Sequence, residues 1–158
     1  LEDHFRRAGV RCRVEPDMIH CIWLKFMGNV SENLPCALLG VPYGAYREGW
    51  PADGIRRALM AEVAAVARAE AGVELTEEDM ALRNRIVYNQ DPASRPSTLQ
   101  DLDRGRQTEV GLFAGAVVRL GEKHGIPTPV SAVMLQGIRA LEAKNAGTIP
   151  GLPEAARG

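Results

Sequence analysis

Residues 17–39 read DMIHCIWLKFMGNVSENLPCALL, and this stretch decides the fold. Asp17 can cap a helix, because its carboxylate can accept hydrogen bonds from the free amides of a first helical turn. Pro35 lacks an amide proton, so we predict a helix over residues 18–39 that is kinked near Ser31. Its apolar residues recur at the three- and four-residue spacing of one helix face: Ile19, Ile22, Trp23, Phe26, Met27, Val30, Leu34 and Leu38.

Helical patterns continue downstream of this segment. After a Gly- and Pro-bearing loop over 40–53, we predict helices over 54–71, 77–89 and 98–123. A last helix begins at Pro129, since proline is favoured at the first helical position. Only 5% of the residues are aromatic, which also favours helix over sheet.

The residues before Asp17 have a different pattern. Residues 1–8 resemble the end of a helix that Gly9 stops, and residues 10–14 alternate apolar and polar side chains as a short strand does. The sequence offers no second strand, and a lone strand is not stable. We therefore expect an all-α bundle with one stray strand that belongs to a larger unit.

Composition and charge exclude several classes of protein. A net charge of -1 argues against a general binder of nucleic acids or anionic membranes, because both need a basic surface. The three cysteines form no CxxC pair and the three histidines lie far apart, so we expect no metal site. Free thiols suit a reducing compartment, which makes the cytoplasm the expected location. No glycine-rich dinucleotide or phosphate loop is visible.

A polar row accompanies the apolar face of the first long helix. Lys25, Asn29 and Asn33 follow one another at four-residue spacing, with Glu32 beside them. Three such head groups can point into one cleft, where the amine could protonate a carbonyl oxygen and the amides could hold a carboxylate. The alternative is a helix face that is simply solvated. The spacing alone leaves both interpretations open.

Two further residues are candidates for chemistry. The helical phase of segment 98–123 puts Glu109 at the edge of an apolar stripe. A carboxylate in such a position usually has either an ion-pair partner or a functional role. The alternative is a local ion pair with Arg106, and the helical phase does not decide between the two. Ser97 precedes the same helix, and its spacing favours a capping role over anion binding. We expect His124 to have no catalytic role, because a helix C-terminus favours a cation there.

Four short segments together resemble one known family. Residues 23–33, WLKFMGNVSEN, resemble the Lys-x-x-x-Asn-x-x-x-Asn signature that opens the C-terminal domain of ketopantoate reductases. Residues 97–102, STLQDL, and 106–110, RQTEV, resemble the Ser-x-Leu-Gln-Asp…Thr-Glu-Ile block of the same family. Residues 124–129, HGIPTP, continue the match, which covers roughly residues 10–144.

The resemblance implies a fold and a division of the chain. It implies a helical bundle like the C-terminal domain of 6-phosphogluconate dehydrogenase-like reductases. Residues 1–16 would be the last helix and strand of a missing Rossmann domain, residues 17–146 the helical substrate and catalytic domain, and residues 147–158 a flexible tail. Because the dinucleotide-binding half is absent, we expect the chain alone to be inactive.

Roles for individual residues follow from the same resemblance. The family reduces 2-dehydropantoate to pantoate with NADPH, on the way to pantothenate and coenzyme A. Lys25 matches the general acid, and Glu109 matches the acid that contacts substrate and cofactor ribose and orients the lysine. Asn29, Asn33 and Ser97 match residues that hold the substrate. NADPH would be bound mainly by the absent N-terminal domain, which would be the chain's partner.

Other functions remain open at this point. Pro96 stands where some family members carry a second serine, so a different branched 2-oxo acid is an alternative substrate. A non-catalytic dimerisation module could use the small residues Gly111, Ala114 and Gly115, and a homodimer through the helical domain stays open. A small-ligand binding domain would not need Lys25. Dimerisation would require none of the five matched residues, which speaks against the second alternative.

Overall fold

The computed structural model describes residues 2–10 and 16–152 of the chain. Within these ranges the regular structure is helical and no strand occurs, which confirms the all-α prediction. Apart from Val10, the predicted strand lies outside the described residues. The elements in chain order are α1 (Glu2–Arg7), α2 (Met18–Gly28), a π-helical turn (Asn29–Asn33), α3 (Leu34–Leu39), a 3-10 turn (Tyr43–Ala45), α4 (Pro51–Ala71), α5 (Glu77–Tyr88), α6 (Ser97–Asp103), α7 (Ala114–His124) and α8 (Pro129–Asn145).

The helix predicted over residues 18–39 is present as the continuous run of α2, the π-helical turn and α3. It begins as expected, because the Asp17 carboxylate accepts a hydrogen bond of 2.9 Å from the backbone amide of His20. It ends at Gly40, whose φ of 68° lies in the left-handed region that favours glycine.

The disturbance predicted near Ser31 takes the form of the π-helical turn over Asn29–Asn33. Pro35 has no amide proton, so the carbonyl four residues earlier lacks its usual helical partner. The hydroxyl of Tyr46 donates to the neighbouring carbonyl of Glu32 at 2.6 Å and lies 3.5 Å from that of Ser31. A side chain from outside the helix therefore satisfies backbone groups that the π turn leaves free.

The central helix α4 contacts α2, the π turn, α3, α7 and α8, and the main core lies around it. Burial of each large apolar side chain contributes about 1.5–3 kcal/mol, so this core is the main source of stability. The outer end of α2 is less covered, since Ile19 and Ile22 are each 54% exposed. Completely buried core residues include Met27, Val30, Leu34, Leu59, Val63, Val66, Val117 and Ile138.

The prediction of one long helix over residues 98–123 is wrong. Residues 104–113 form turns between α6 and α7. Gly105 has a φ of 64°, a left-handed conformation that ends α6. The backbone amide of Thr108 then donates to the carboxylate of Glu142 on α8 at 2.6 Å, instead of to a helical carbonyl. This segment is thus anchored to α8 rather than continued as a helix.

The remaining helix starts follow local signals. The second predicted helix begins at Pro51 rather than Gly54, because proline is well suited to a first turn. α5 begins where expected, with reciprocal hydrogen bonds between Thr76 and Asp79 that form a capping box. The start of α8 is held by Glu62 of α4, whose carboxylate accepts hydrogen bonds from the first amides of that helix.

Candidate functional site

The π-helical turn aligns the predicted polar row on the first long helix. An α-helix rotates about 100° per residue, so in a regular helix Asn33 would lie about 80° around the axis from Lys25. A π-helical turn contains more residues than an α-helical turn, so the rotation per residue is smaller than in an α-helix. The turn over Asn29–Asn33 thus brings Asn33 back towards the line of Lys25 and Asn29. The sequence pattern did not reveal this alignment.

Most head groups of this row have no protein partner. Within residues 2–10 and 16–152, the amine of Lys25 and the amide of Asn29 form no hydrogen bond or ion pair. Lys25 is exposed, whereas Asn29 and Asn33 are half-buried. The amide oxygen of Asn33 accepts a hydrogen bond of 2.9 Å from the hydroxyl of Tyr43. An amine and two amide NH₂ groups are therefore free to bind a ligand.

The loop that precedes Ser97 is linked to the row through Tyr43. Ser97 is the exposed first residue of α6, and its hydroxyl makes no capping hydrogen bond, so the capping interpretation is not supported. The backbone amide of Tyr43 donates to the carbonyl of Ser94 at 3.0 Å, and the Tyr43 side chain reaches Asn33. One residue therefore contacts both Asn33 and the loop that leads to Ser97.

Glu109 does not lie at the edge of a helical apolar stripe, as its phase predicted. It is exposed and belongs to the turns between α6 and α7, because the predicted helix is interrupted there. The alternative of a pair with Arg106 is also wrong, since that guanidinium lies 4.0 Å from Asp101. In the part of the chain that the structure describes, the carboxylate of Glu109 has no partner.

Aromatic packing brings the Glu109 segment against the helix that carries Lys25. The backbone carbonyl of Glu109 accepts a hydrogen bond of 3.1 Å from the amide of Phe113. The ring of Phe113 lies 6.4 Å from that of Phe26, the residue after Lys25, and Phe26 packs edge-on against Trp23 at 5.6 Å. Trp23, Phe26 and Phe113 thus form an aromatic cluster that links the Glu109 segment to the helix carrying Lys25.

Glu32 does not belong to the exposed row, contrary to the grouping made from the sequence. Its carboxylate is buried and accepts hydrogen bonds from two nitrogens of the Arg83 guanidinium, one of them at 2.9 Å. Burial raises the pKa of Glu32, although the guanidinium opposes the shift. Gly28 is needed here, since a Cβ at that position would clash with the Arg83 side chain.

A second buried pair lies beside it. Arg56, which is completely buried, donates to Asp53 at 2.8 Å and to Asn84 at 2.6 Å. Burial opposes ionisation of Asp53, but hydrogen bonds from Arg57 and Arg56 outweigh it and lower the pKa. The Arg56 guanidinium also lies 5.7 Å from the ring centre of Tyr46. We call Glu32, Arg83, Asp53 and Arg56 the buried cluster.

The sequence pattern missed the buried cluster as a whole. Its members come from the π turn, α4 and α5, and Arg83 lies far from Glu32 in the chain. The buried cluster lies behind the π turn, since Tyr46 contacts both the guanidinium of Arg56 and the carbonyl of Glu32. It therefore supports the backbone from which Asn29 and Asn33 project.

His20 and His124 each form an ordinary pair with a carboxylate. His20 lies 3.0 Å from Asp79, and His124 lies 2.6 Å from Glu70 at the end of α7. Over the described residues, no group of three or more His, Cys, Asp or Glu side chains could hold a metal ion. No described helix is both long enough and apolar enough to cross a membrane. The unpartnered row is thus the main candidate for ligand binding.

The chain is similar to proteins of one family along most of its length. Residues 17–142 match the family model described as ketopantoate reductase PanE/ApbA C terminal. The 2-dehydropantoate 2-reductase of Vibrio cholerae is 34% identical over 146 residues, which cover 90% of this chain and 47% of that protein. The enzyme of the same name from Archaeoglobus fulgidus is 33% identical over 138 residues, which cover 87% of this chain and 46% of that protein. The chain thus spans about half the length of these relatives.

Solved structures are similar to the same extent. The PanE/ApbA family ketopantoate reductase from Ralstonia eutropha superimposes with a TM-score of 0.81 at 34% identity, over 90% of this chain and 47% of that one. A D-mandelate dehydrogenase in complex with NADH and anilino(oxo)acetate gives a TM-score of 0.80 at 25% identity, over 93% of this chain and 60% of that one.

Proposed function

Because the chain belongs to the family of ketopantoate reductase C-terminal domains, we propose that it is the substrate-side half of an NADPH-dependent 2-oxo acid reductase. The proposed substrate is 2-dehydropantoate, which is reduced to pantoate. The names of the relatives support the reaction. The observation that carries the proposal is the aligned row of Lys25, Asn29 and Asn33, whose head groups are available to a ligand.

Lys25 is proposed as the general acid. When a hydride adds to the carbonyl carbon of a 2-oxo acid, negative charge develops on the carbonyl oxygen, and a nearby ammonium group can supply the proton. The exposed amine has no partner within the described residues, so it can reach such an oxygen.

The amides and the serine are proposed to hold the substrate. Asn29 and Asn33 offer NH₂ donors to a carboxylate, and the Ser97 hydroxyl can either donate or accept. Glu109 is proposed to contact the substrate and the cofactor ribose and to orient Lys25. Its carboxylate fits this role because it is exposed and has no partner among the residues described. A carboxylate accepts hydrogen bonds from two hydroxyls at once.

The cofactor requires a further domain. Reduced nicotinamide, when bound, supplies the hydride, and a structural neighbour of the chain binds NADH. We propose NADPH, bound mainly by an N-terminal Rossmann domain of which residues 1–16 are the last part. Residues 17–146 form the helical domain in this proposal, and the cytoplasm is the proposed location. The tail predicted over residues 147–158 lies outside the described residues beyond residue 152. The helical domain without its partner is expected to be inactive.

A reductase of an aromatic 2-oxo acid is the second candidate. The similarity to D-mandelate dehydrogenase supports it, because the 2-oxo acid that corresponds to mandelate carries a phenyl group. The aromatic cluster of Trp23, Phe26 and Phe113, which includes two residues of the helix that carries Lys25, would suit such a substrate. The row of polar head groups would have the same role in both reactions, since each substrate has a carboxylate beside a ketone.

The decisive experiment is an assay of the intact enzyme, with this chain following its dinucleotide-binding domain. Oxidation of NADPH is measured with 2-dehydropantoate and with phenylglyoxylate, and NADH is compared as hydride donor. We expect efficient turnover with 2-dehydropantoate and weak turnover with the aromatic acid. The reverse order would support the second candidate. Absence of turnover with every 2-oxo acid would contradict both.

A further inference from the structure

We propose that Tyr43 is a positioning residue that turns the NH₂ group of Asn33 towards the substrate and holds the Ser97 loop beside it. This inference rests on the proposed function, in which Asn33 and Ser97 bind the substrate. It assigns a specificity role to a residue outside the sequence motifs. The role is to present hydrogen-bond donors, rather than an amide oxygen, to the carboxylate of a 2-oxo acid.

The position of Tyr43 is fixed from two sides. Its hydroxyl donates to the amide oxygen of Asn33 at 2.9 Å, and its backbone amide donates to the carbonyl of Ser94 at 3.0 Å. The next residue, Gly44, donates its own amide to the carbonyl of Pro92 at 2.9 Å. A Cβ at Gly44 would lie 2.8 Å from that oxygen, so this close approach depends on glycine.

The electrostatic setting keeps the Tyr43 hydroxyl protonated. Burial, followed by the nearby Glu32 carboxylate, raises the pKa of Tyr43 to about 12. The phenol therefore remains a hydrogen-bond donor throughout the physiological pH range. Because it occupies the amide oxygen of Asn33, the NH₂ group points elsewhere, and among the described residues it has no partner.

The orientation of Asn33 has a consequence for specificity. An NH₂ group binds an acceptor such as a carboxylate, but it cannot accept a hydrogen bond from a primary amide or an ammonium group. If the Asn33 side chain could rotate, its oxygen would face the ligand and accommodate such donors. Tyr43 therefore favours the acid over its neutral amide.

The kinetic test compares Tyr43→Phe with Tyr88→Phe in the intact enzyme. Tyr88 is the matched control, because its hydroxyl bonds Asp53 and Arg57 instead of Asn33. Tyr43→Phe should raise the KM for the 2-oxo acid about 3- to 10-fold, the effect of one ordinary hydrogen bond, while kcat changes little. In this variant the ratio of kcat/KM for the 2-oxo acid to kcat/KM for the corresponding 2-oxo amide should fall by a similar factor. An unchanged KM and an unchanged preference would overturn the inference.

A second test is independent of activity. In the ¹⁵N-labelled chain, the side-chain NH₂ signals of Asn33 are identified by their loss in Asn33→Ala. They should shift in Tyr43→Phe and stay in place in Tyr88→Phe. Signals that do not respond to Tyr43→Phe would refute the orienting contact even in an active enzyme. If the signals respond but the wild-type enzyme reduces no 2-oxo acid, the orienting contact holds and the proposed function fails.

Discussion

Two polar regions meet at the π-helical turn and differ in how their groups are paired. Glu32 turns inward to the buried cluster, where each charged group has a charged partner. The neighbouring Asn33 belongs to the outward row with Lys25 and Asn29, where, among the described residues, Tyr43 occupies one amide oxygen and the other head groups have no partner. One helical run thus carries a paired region and a largely unpaired region on different faces. The difference indicates that the buried cluster maintains the backbone and that the row is available for binding.

The two regions should also differ in how substitutions affect them. Removal of one member of a buried ion pair leaves a charge without a partner and is strongly destabilising. An exposed polar group without a partner contributes little to folding, and its replacement usually changes stability by less than about 0.5 kcal/mol. Activity and stability should therefore respond to different residues, although Glu32 and Asn33 are adjacent in the chain.

The largest effect is expected from Lys25→Ala in the intact enzyme. Loss of a general acid should lower kcat about 10²- to 10⁴-fold. The free energy of unfolding should stay within about 0.5 kcal/mol of the wild type, because the amine is exposed. NADPH oxidation and urea unfolding measure the two quantities. Lys144→Ala, another exposed lysine, is the matched control and should leave kcat unchanged. Nearly normal turnover in Lys25→Ala would mean that another group donates the proton.

The opposite behaviour is expected from Arg83→Leu, which leaves the buried Glu32 carboxylate without its partner. The free energy of unfolding should fall by about 3–5 kcal/mol in urea titrations at neutral pH. Arg95→Leu is the control, because its pair with Asp103 is about half exposed and should be worth at most about 1 kcal/mol. Equal losses in the two variants would show that burial of the Glu32 pair has no special weight.

The pH dependence of Arg83→Leu sharpens this prediction. Burial raises the pKa of Glu32 in the folded state above its ordinary value of 4.5. A raised pKa means that the folded state binds the proton of Glu32 more tightly than the unfolded state does. The stabilisation from this protonation is therefore fully present below pH 4.5 and is lost as the pH rises through the folded-state pKa. Without Arg83 the pKa should rise further. The destabilisation of the variant should therefore shrink as the pH is lowered towards 4.5, and a constant difference would contradict this.

A smaller effect, confined to substrate affinity, is expected from Asn29→Ala. A hydrogen bond to a charged acceptor contributes about 1.5–3 kcal/mol, so KM for the 2-oxo acid should rise about 10- to 100-fold with little change in kcat. Gln136→Ala removes an exposed carboxamide from α8 and serves as the control. A loss of kcat at constant KM would place Asn29 in the chemical step instead.

The sequence predicted those parts of the fold that depend on local signals. The Asp17 cap, the start of α5 at residue 77 and the end of α4 at residue 71 each depend on residues a few positions apart. The break at Gly105 was missed because apolar periodicity continues on both sides of it, and the predicted position of Glu109 failed with it.

Tertiary contacts set the features of the site that the sequence did not predict. The Tyr46 hydroxyl donates to a carbonyl of the π turn, and the Arg83 guanidinium pairs with Glu32, both from other segments. A motif names Lys25, Asn29 and Asn33, but periodicity alone cannot show that a wider turn aligns them. The motif therefore identifies the residues of the row, whereas their arrangement follows from the structure.

The smallest effect tests whether the buried cluster sets the geometry of the row. Tyr46→Phe removes the hydroxyl that donates to the Glu32 carbonyl but keeps the ring that packs against Arg56. The free energy of unfolding should fall by about 1 kcal/mol, and KM for the 2-oxo acid should rise only a few fold as Asn33 loses its alignment.

The control for this variant is Tyr88→Phe, whose ring also packs against Arg56, at 5.5 Å, and whose hydroxyl bonds Asp53. It should lose similar stability while KM stays constant, because the Tyr88 hydroxyl bonds Asp53 and Arg57 on α4 rather than a carbonyl of the π turn. A stability loss in Tyr46→Phe without any change in KM would show that the buried cluster does not influence substrate binding by the row. The buried cluster would then stabilise the fold, and the alignment of the row would depend on the helix itself.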